Sequence, residues 1–286
     1  VASLVGLADT ESSTRFLKAF SGGAEPKFGD SWATPYALSI YGQETVPGGA
    51  GADSDGYGDG RAISLAEVIA SSTGMRYELQ LKGAGRTPFA RGGDGRAVLR
   101  SSIREFIASE AMHFLRVPTT RALSLIVSGS ETVQRPWYRQ NVSTAPNQQH
   151  GGDHLKTEPI AVVCRVSSSF LRVGHFELFG RRARKGRRPN ARHELEQLAR
   201  HAIFRDYPEA VGATLSDQIL SMAGLAAQRM AAMAADWVRV GYAQSNFNSD
   251  NCLIAGVTVD FGPFGFIERF KKKWGMWVGS GEHYGK

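Results

Sequence analysis

The chain has 286 residues, which suits one large domain or two lobes around a cleft. Hydrophobic residues make up 42% and charged residues 21%, as in an ordinary globular domain, and no stretch approaches the roughly 18 apolar residues of a transmembrane helix. This composition argues against a helical membrane protein. The net charge of +7 favours an anionic partner such as a phosphorylated ligand, a nucleic acid or an anionic membrane.

The first eight residues are too short and too uncharged for a signal peptide, and no other targeting segment is visible. Because the sequence does not begin with Met, we expect a processed form or a fragment. Only two cysteines are present, Cys164 and Cys252, which is typical of a reducing compartment rather than of a disulfide framework.

The N-terminal third is predicted to form strands. Residues 46–60 are rich in Gly and Asp and predict a flexible loop that ends in a tight turn. Strands are predicted at residues 61–70 and 75–81. In the second of these, Tyr77, Leu79 and Leu81 alternate with polar neighbours, which is the period of a strand.

A helix is predicted over residues 99–115 and ends before Pro118. At 100° per residue its larger apolar side chains fall within one stripe, which predicts that this stripe faces the core. The stripe consists of Leu99, Ile103, Phe106, Ile107 and Phe114.

The rest of the chain is predicted to change from strand to helix. Strands are expected at residues 121–127 and 159–166, with an exposed polar loop between them. Helices are expected at residues 191–204 and 215–240, the second buried along one face, and a short hairpin at residues 253–259.

This order of elements predicts an α+β fold with a sheet-rich lobe at about residues 30–175, a mainly helical lobe at about residues 176–286, and a cleft between them. A basic run at residues 181–188 is interpreted as a solvated loop, with a docking patch as the alternative. No aromatic residues interleave with these charges, so nucleic acid is not expected as a partner.

Asp260-Phe261-Gly262 follows a predicted strand and is a candidate metal site. An Asp carboxylate can hold Mg²⁺ against phosphates. The predicted hairpin brings Asn251 to the same end, so that an amide and a carboxylate oxygen could share one metal. The alternative for Asp250-Asn251 is an Asx-turn.

Lys82 ends a predicted strand beside glycines, where it can reach a bound phosphate. An acid on the following helix would hold it, and Glu105 and Glu110 are the candidates. The helical projection places Glu110 inside the apolar stripe. Because a buried carboxylate requires a cation, the projection alone favours Glu110.

Three further features suggest phosphate binding, each with a simpler interpretation. The Gly-rich segments at residues 56–61 and 92–96 let a backbone approach a phosphate, although plain turns are the alternative. Arg165 and Arg172 could clamp phosphate oxygens, with surface ion pairing as the alternative.

Together these segments resemble the selenoprotein O family, from about residue 36 to residue 270. The resemblance lies in ordered blocks at residues 58–62, 79–89, 94–106, 109–113, 118–123, 248–251 and 260–266.

The resemblance implies a protein-kinase-like, two-lobed fold that binds ATP in a reversed orientation. The implied activity is transfer of AMP to Ser, Thr or Tyr hydroxyls of proteins, with release of pyrophosphate. The implied cofactors are ATP and Mg²⁺, with Mn²⁺ as an alternative. The implied compartment is the mitochondrion in eukaryotes and the cytoplasm in bacteria.

The resemblance also implies roles for individual residues. Asp250 would accept the proton of the target hydroxyl, and Asn251 and Asp260 would bind the metal. It indicates Glu105 as the partner of Lys82, against the helical projection, and leaves Glu110 as the alternative. The nucleotide would be bound by Gly58, Gly60, Arg61, Lys82, Asp94, Gly95, Glu105, Arg165, Arg172 and Asp260.

The chain departs from the family pattern in three places. Residues 243–246 replace a His-Gly-Val-type sequence, and residues 37–56 differ from the usual glycine loop. Family members also continue well beyond Lys286, which implies a truncated helical lobe. The alternative functions are a kinase that transfers the γ-phosphate and an inactive nucleotide-binding fragment or scaffold. Because Asp250 is adjacent to Asn251, rather than several residues before it as in kinases, AMP transfer is favoured.

Overall fold

A computed structural model describes residues 1–7, 13–22, 61–86, 93–137, 154–186, 189–244 and 246–269. Helices and strands both occur in this part of the chain, so the fold is mixed α and β. Its α-helices are α1 (Thr14–Phe20), α2 (Leu99–Phe114), α3 (Val173–Lys185), α4 (Ala191–Asp206) and α5 (Leu215–Arg239). Its strands are β1 (Ala62–Ile69), β2 (Arg76–Lys82), β3 (Ala97–Val98), β4 (Arg121–Trp137), β5 (His154–Ser167), β6 (Tyr242–Gln244) and β7 (Phe264–Phe266).

Five of the strands form one antiparallel sheet with β5 at its centre. One edge of β5 pairs with β4, and the other pairs with β2 and then with β3. Strand β1 completes the sheet beyond β2. The short strands β6 and β7 pair separately. Because α2 directly follows β3, the pairing of β2 and β3 with β5 fixes the position of α2 relative to β2.

The two faces of β2 differ, as its alternating sequence predicts. Leu79 and Leu81 are fully buried in a core that they share with Phe16 and Phe20 of α1. The residues between them therefore point to the opposite face of the sheet. That face carries Lys82, and its polar character determines where the candidate site lies.

The predicted strands at residues 61–70 and 75–81 are confirmed as β1 and β2. The strands predicted at residues 121–127 and 159–166 are longer than expected, because they also pair between residues 132–137 and 154–159. Part of the predicted polar loop is therefore strand. Helices α1 and α3 and strands β3, β6 and β7 were not predicted from the sequence.

Helix α2 forms where predicted, but the prediction of its buried face was wrong. Ile103, Ile107 and Phe114 are 40%, 61% and 79% exposed. The buried face instead consists of Ser102, Glu105, Ala108, Ser109 and Met112. The projection assumed that the apolar stripe faces the interior, whereas this helix packs a partly polar face against the sheet.

A second core lies among α3, α4 and α5. Helix α5 buries one face, as predicted, with Met222, Ala226, Met233 and Trp237 in the interior. The basic run predicted as a solvated loop lies partly in the last turns of α3, where Arg182 is buried against Phe179. Residues 181–185 are therefore helix rather than loop, and Arg182 is buried, whereas Arg184 and Lys185 are exposed as that interpretation expected.

The segment predicted as a hairpin at residues 253–259 is a tight turn rather than two strands. Gly256 has a φ of 72° there, and the Gly256 amide donates to Leu253 O at 3.0 Å. A single bridge joins Cys252 and Thr258. The turn nevertheless brings the two ends of the segment together.

Arg205 of α4 ties the helices to the sheet. Its guanidinium donates to Ser168 O at 2.8 and 3.1 Å, just after β5. It also pairs with Glu67 of β1 and lies 3.6 Å from Glu78 of β2. The orientation of the helices relative to the sheet is therefore fixed by a buried cation as well as by apolar packing.

Cys164 and Cys252 are both buried and free, and burial raises the pKa of the Cys252 thiol to about 11. Within the described residues, no helix combines the length and apolar character needed to cross a membrane.

Candidate active site

Lys82 and Glu105 form the centre of the candidate site. Lys82 is the last residue of β2 and lies on its polar face, opposite the buried face of α2. Its Nζ donates to Glu105 Oε2 and lies 3.8 Å from Asp260 Oδ1. Because Glu105 is only 5% exposed, its carboxylate depends on cationic partners.

Arg165 is the second cation of this cluster and is also buried. It lies on β5 opposite Gln80 of β2, and its guanidinium donates to Gln80 Oε1. Its Nη1 is 3.7 Å from Glu105 Oε1 and 3.5 Å from Val259 O. The guanidinium also lies over the Phe170 ring, 5.5 Å from its centroid. Arg165 is therefore held in place on several sides.

Asp260 is positioned by the residue that follows it. Phe261 is buried, with its ring centroid 6.0 Å from that of Tyr242 and 5.9 Å from that of Phe264, in a cluster that also includes α2. On the other side, Gln244 Nε2 donates to Asp260 O at 2.7 Å. The Asp260 carboxylate is thus fixed beside Lys82.

The four charges of the cluster cancel. Lys82 and Arg165 contribute two positive charges, and Glu105 and Asp260 contribute two negative charges. An anion with several charges, such as a triphosphate, would therefore require additional positive charge in this site. A divalent cation on Asp260 could supply it.

Asp250 and Asn251 lie in a short 3-10 turn (Ser249–Asn251). Asn248 Oδ1 accepts from the Asp250 amide at 3.0 Å, so Asn248 is the Asx residue of this turn. Asp250 Oδ1 lies against the first turn of α3, where a Cβ on Gly174 would be only 2.6 Å away. A side chain at position 174 would therefore displace this carboxylate.

Asn251 and Asp260 are joined through Asn246. Asn251 Nδ2 donates to Asn246 O at 3.0 Å, and Asn246 Nδ2 donates to Asp260 Oδ2 at 3.5 Å. An amide and a carboxylate oxygen are donors that suit Mg²⁺, which usually keeps several waters and takes only one or two protein carboxylates. The two residues therefore fit a magnesium ion. The described part of the chain contains no group of three or more His, Cys, Asp or Glu side chains that could hold a metal.

Arg172 lies beside the same turn. It is buried, it immediately precedes α3, and its backbone pairs with Leu253. The Arg172 amide donates to His175 Nδ1 at 2.8 Å. This arginine thus lies next to the Asp250–Asn251 segment, whereas Arg165 lies in the Lys82 cluster.

Glu110 has a different partner from Glu105. Its carboxylate accepts from Arg121 Nε at 2.9 Å and Nη2 at 2.7 Å, and from the Ala122 amide at 2.9 Å. Burial raises the pKa of Glu110, but these hydrogen bonds outweigh it and hold the pKa below the ordinary 4.5. Of the two candidates that the sequence left open, the structure pairs Glu105 with Lys82 and leaves Glu110 to tie α2 to β4.

The Glu110 pair predicts a pH-dependent contribution to stability. Because the folded-state pKa is below the ordinary value, the contribution is complete above about pH 4.5 and is lost as the pH falls through the folded-state pKa. At pH 7 we expect Glu110→Gln to lower the free energy of unfolding by on the order of 1 kcal/mol, with solvent exposure limiting the effect. Urea unfolding of both proteins from pH 7 to pH 3.5 should show this difference shrinking, and a constant difference would contradict the assignment.

Gly95 and Arg61 lie just beyond the end of β2. Gly95 has a φ of 68°, and a Cβ there would lie 1.9 Å from Gly85 O, so the backbone at Gly95 is in direct contact with the turn that follows β2. Arg61 Nη1 donates to Arg96 O at 2.9 Å, and Arg96 Nη1 donates to Ala84 O at 2.9 Å. Of the predicted phosphate-binding residues, Arg61 and Gly95 therefore lie near the Lys82 end of β2.

Asp94 is paired within the protein. It accepts from Arg135 at 2.8 Å and from the Arg96 amide at 2.9 Å, and the bond from Arg135 is the main reason that its pKa is lowered. Its predicted contact with a nucleotide stays a prediction. Gly58 and Gly60 lie outside the described residues.

Four residues that shape this site were not predicted from the sequence. Gln80 holds Arg165, Gly174 accommodates Asp250, and Gln244 and Asn246 contact Asp260. Gln80 could have been found from the strand period, because it lies two residues from Lys82 on the same face of β2. No local signal identifies Gly174, since its contact with Asp250 is entirely tertiary.

Comparison with known protein sequences identifies the family of the chain. The family model described as Protein adenylyltransferase SelO matches residues 9–277. The chain belongs to this family. It is 43% identical over 278 residues to the protein nucleotidyltransferase YdiU of Xanthomonas campestris pv. campestris (strain 8004), covering 96% of this chain and 47% of that protein. It is 42% identical over 281 residues to the protein of the same name from Xanthomonas euvesicatoria pv. vesicatoria (strain 85-10), with the same coverage.

The SelO family assignment confirms the resemblance drawn from the ordered sequence blocks. The chain spans about half the length of the curated relatives that it matches. The activity of those whole proteins therefore enters below as a proposal for this chain.

Proposed function

We propose that this chain is the catalytic part of a protein adenylyltransferase, which transfers AMP from ATP to protein hydroxyls and releases pyrophosphate. The observation that carries this proposal is the buried cluster in which Glu105 joins Lys82 and Arg165, with Asp260 beside Lys82. The names of the family and its relatives support nucleotidyl transfer to proteins.

In this proposal the cations neutralise the phosphates. Transfer of AMP places negative charge on the α-phosphorus centre and on the leaving pyrophosphate. Lys82 and Arg165 would bind that charge, with Glu105 holding both side chains in place. Arg172, Arg61, Asp94 and the glycines at 58, 60 and 95 would complete the nucleotide pocket.

Asn251 and Asp260 would hold Mg²⁺, or Mn²⁺ as an alternative. When bound, the ion supplies the positive charge that the balanced cluster lacks. Asp250 would orient the acceptor hydroxyl and take its proton. The Asp250 carboxylate lies on the first turn of α3, where the positive end of the helix dipole favours an anion. Positioning is therefore expected to matter more than basicity.

We further propose a protein-kinase-like, two-lobed arrangement. The sheet and α2 would form the first lobe, at about residues 30–175, and the later helices the second, at about residues 176–286. Lys82 on the sheet and Asp250 beside α3 would then face the nucleotide from opposite sides. The proposed partners are proteins with Ser, Thr or Tyr acceptors, in the cytoplasm of a bacterium or the mitochondrion of a eukaryote.

The products distinguish the proposal from its alternatives. The chain would be incubated with ATP, Mg²⁺ and a mixture of acceptor proteins, and the released anion identified. Pyrophosphate released in proportion to modified protein would support AMP transfer. ADP formed in proportion to modified protein would indicate a kinase, and absence of nucleotide binding would indicate an inactive scaffold.

A further inference from the structure

Asn246 lies between the two proposed metal ligands. Its backbone oxygen accepts from Asn251 Nδ2 at 3.0 Å, and its side-chain Nδ2 donates to Asp260 Oδ2 at 3.5 Å. It is thus in contact with both residues.

The other polar groups of Asn246 hold it in place. Its Oδ1 accepts from Asn248 Nδ2 at 3.2 Å, and its backbone amide donates to Gln244 Oε1 at 3.4 Å. Gln244 in turn donates to Asp260 O at 2.7 Å. Asn246 is therefore anchored on both sides, by Gln244 and by Asn248, and has little freedom to rotate away from Asp260.

These hydrogen bonds determine which ligand atoms can face a cation. Asn251 Nδ2 is engaged in the hydrogen bond to Asn246 O, and Asn251 Oδ1 is the side-chain atom that can bind a cation. The hydrogen bond from Asn246 Nδ2 to Asp260 Oδ2 restricts rotation of the Asp260 carboxylate, and Asp260 Oδ1 lies 3.8 Å from Lys82 Nζ. Groups that orient metal ligands in this way typically account for about 10- to 100-fold in metal affinity.

We propose that Asn246 is a positioning residue for the divalent cation. Its side chain acts through Asp260 and its backbone oxygen through Asn251, and Asn246 does not bind the cation itself. This inference rests on the proposed function, because it assumes that these two residues hold the metal. It predicts that removing the Asn246 side chain weakens metal binding without unfolding the metal-free protein.

The test is a titration with Mn²⁺, followed by the paramagnetic resonance signal of the free ion. An ATP analogue with a methylene group between the α- and β-phosphorus atoms prevents transfer. The variants are Asn246→Ala and Asn246→Leu, the second of which keeps the side-chain volume. Gln218→Ala, which removes an exposed amide on α5, is the control. Urea unfolding without metal measures the stability of each protein.

We expect both Asn246 variants to bind Mn²⁺ about 10-fold more weakly than the wild type and the control, with unchanged metal-free unfolding midpoints. Wild-type affinity in either folded variant would overturn the inference and leave the proposed function standing. Affinity lost only in parallel with metal-free stability would also overturn it, because the role would then be structural. Failure of the wild type itself to bind Mn²⁺ with the analogue would overturn both.

Discussion

Glu105→Gln is expected to lower AMP transfer by about 100-fold, whereas Glu110→Gln on the same helix leaves the rate of the folded protein unchanged. Glu105 contacts both Lys82 and Arg165. A neutral amide removes the charge that holds these cations, so that Lys82 is expected to move towards Asp260, which lies 3.8 Å away. The two substitutions make the same chemical change, and only one lies in the Lys82 cluster.

The measurement is the initial rate of protein modification with saturating ATP and Mg²⁺, made on samples whose folding has been checked by urea unfolding at the same pH. Glu110→Gln should lose stability rather than rate, because its carboxylate joins Arg121 and the Ala122 amide. A larger loss of rate in Glu110→Gln than in Glu105→Gln would return the role to the residue that the helical projection favoured.

Gly174→Ala is expected to lower transfer by about 100-fold with little loss of stability, because the new Cβ would lie 2.6 Å from Asp250 Oδ1. A displacement of about 1 Å in a reacting group is enough for an effect of this size. The carboxylate can move at small cost in folding energy. The effect should therefore appear in kcat and not in the unfolding midpoint.

Gly180→Ala provides a matched control on the same helix. A Cβ at Gly180 meets only Arg184 Nη1 at 3.5 Å, an ordinary contact, and alanine favours the helix. We expect unchanged activity and equal or greater stability. Full activity in Gly174→Ala would show that the position of Asp250 is not critical, and would remove the support for its role as proton acceptor.

The sequence predicts those parts of the fold in which apolar side chains recur with a simple period. Leu79 and Leu81 of β2 face the core, and α5 buries a single apolar face. The same reasoning fails for α2, because the buried face of that helix includes Ser102, Glu105 and Ser109. A helix that supplies a charged residue to a site buries polar groups, and apolar periodicity then indicates the wrong face.

The candidate site divides in a similar way. Lys82, Asn251 and Asp260 were predicted from the short sequence motifs that contain them, and Glu105 was predicted from the family resemblance. The contacts that hold these residues come from Gln80, Gly174 and Asn246, which depend on the pairing of β2 with β5 and on the packing of α3. Such contacts could not be predicted without the tertiary structure.

The most direct test of the account is the fate of the label from ATP. The wild type and Asp260→Ala would each be incubated with acceptor proteins, Mg²⁺ and ATP labelled at either the α- or the γ-phosphate. We predict protein-bound α-label in the wild type, no protein-bound γ-label, and loss of the α-label in Asp260→Ala. Protein-bound γ-label without α-label would contradict AMP transfer and identify a kinase.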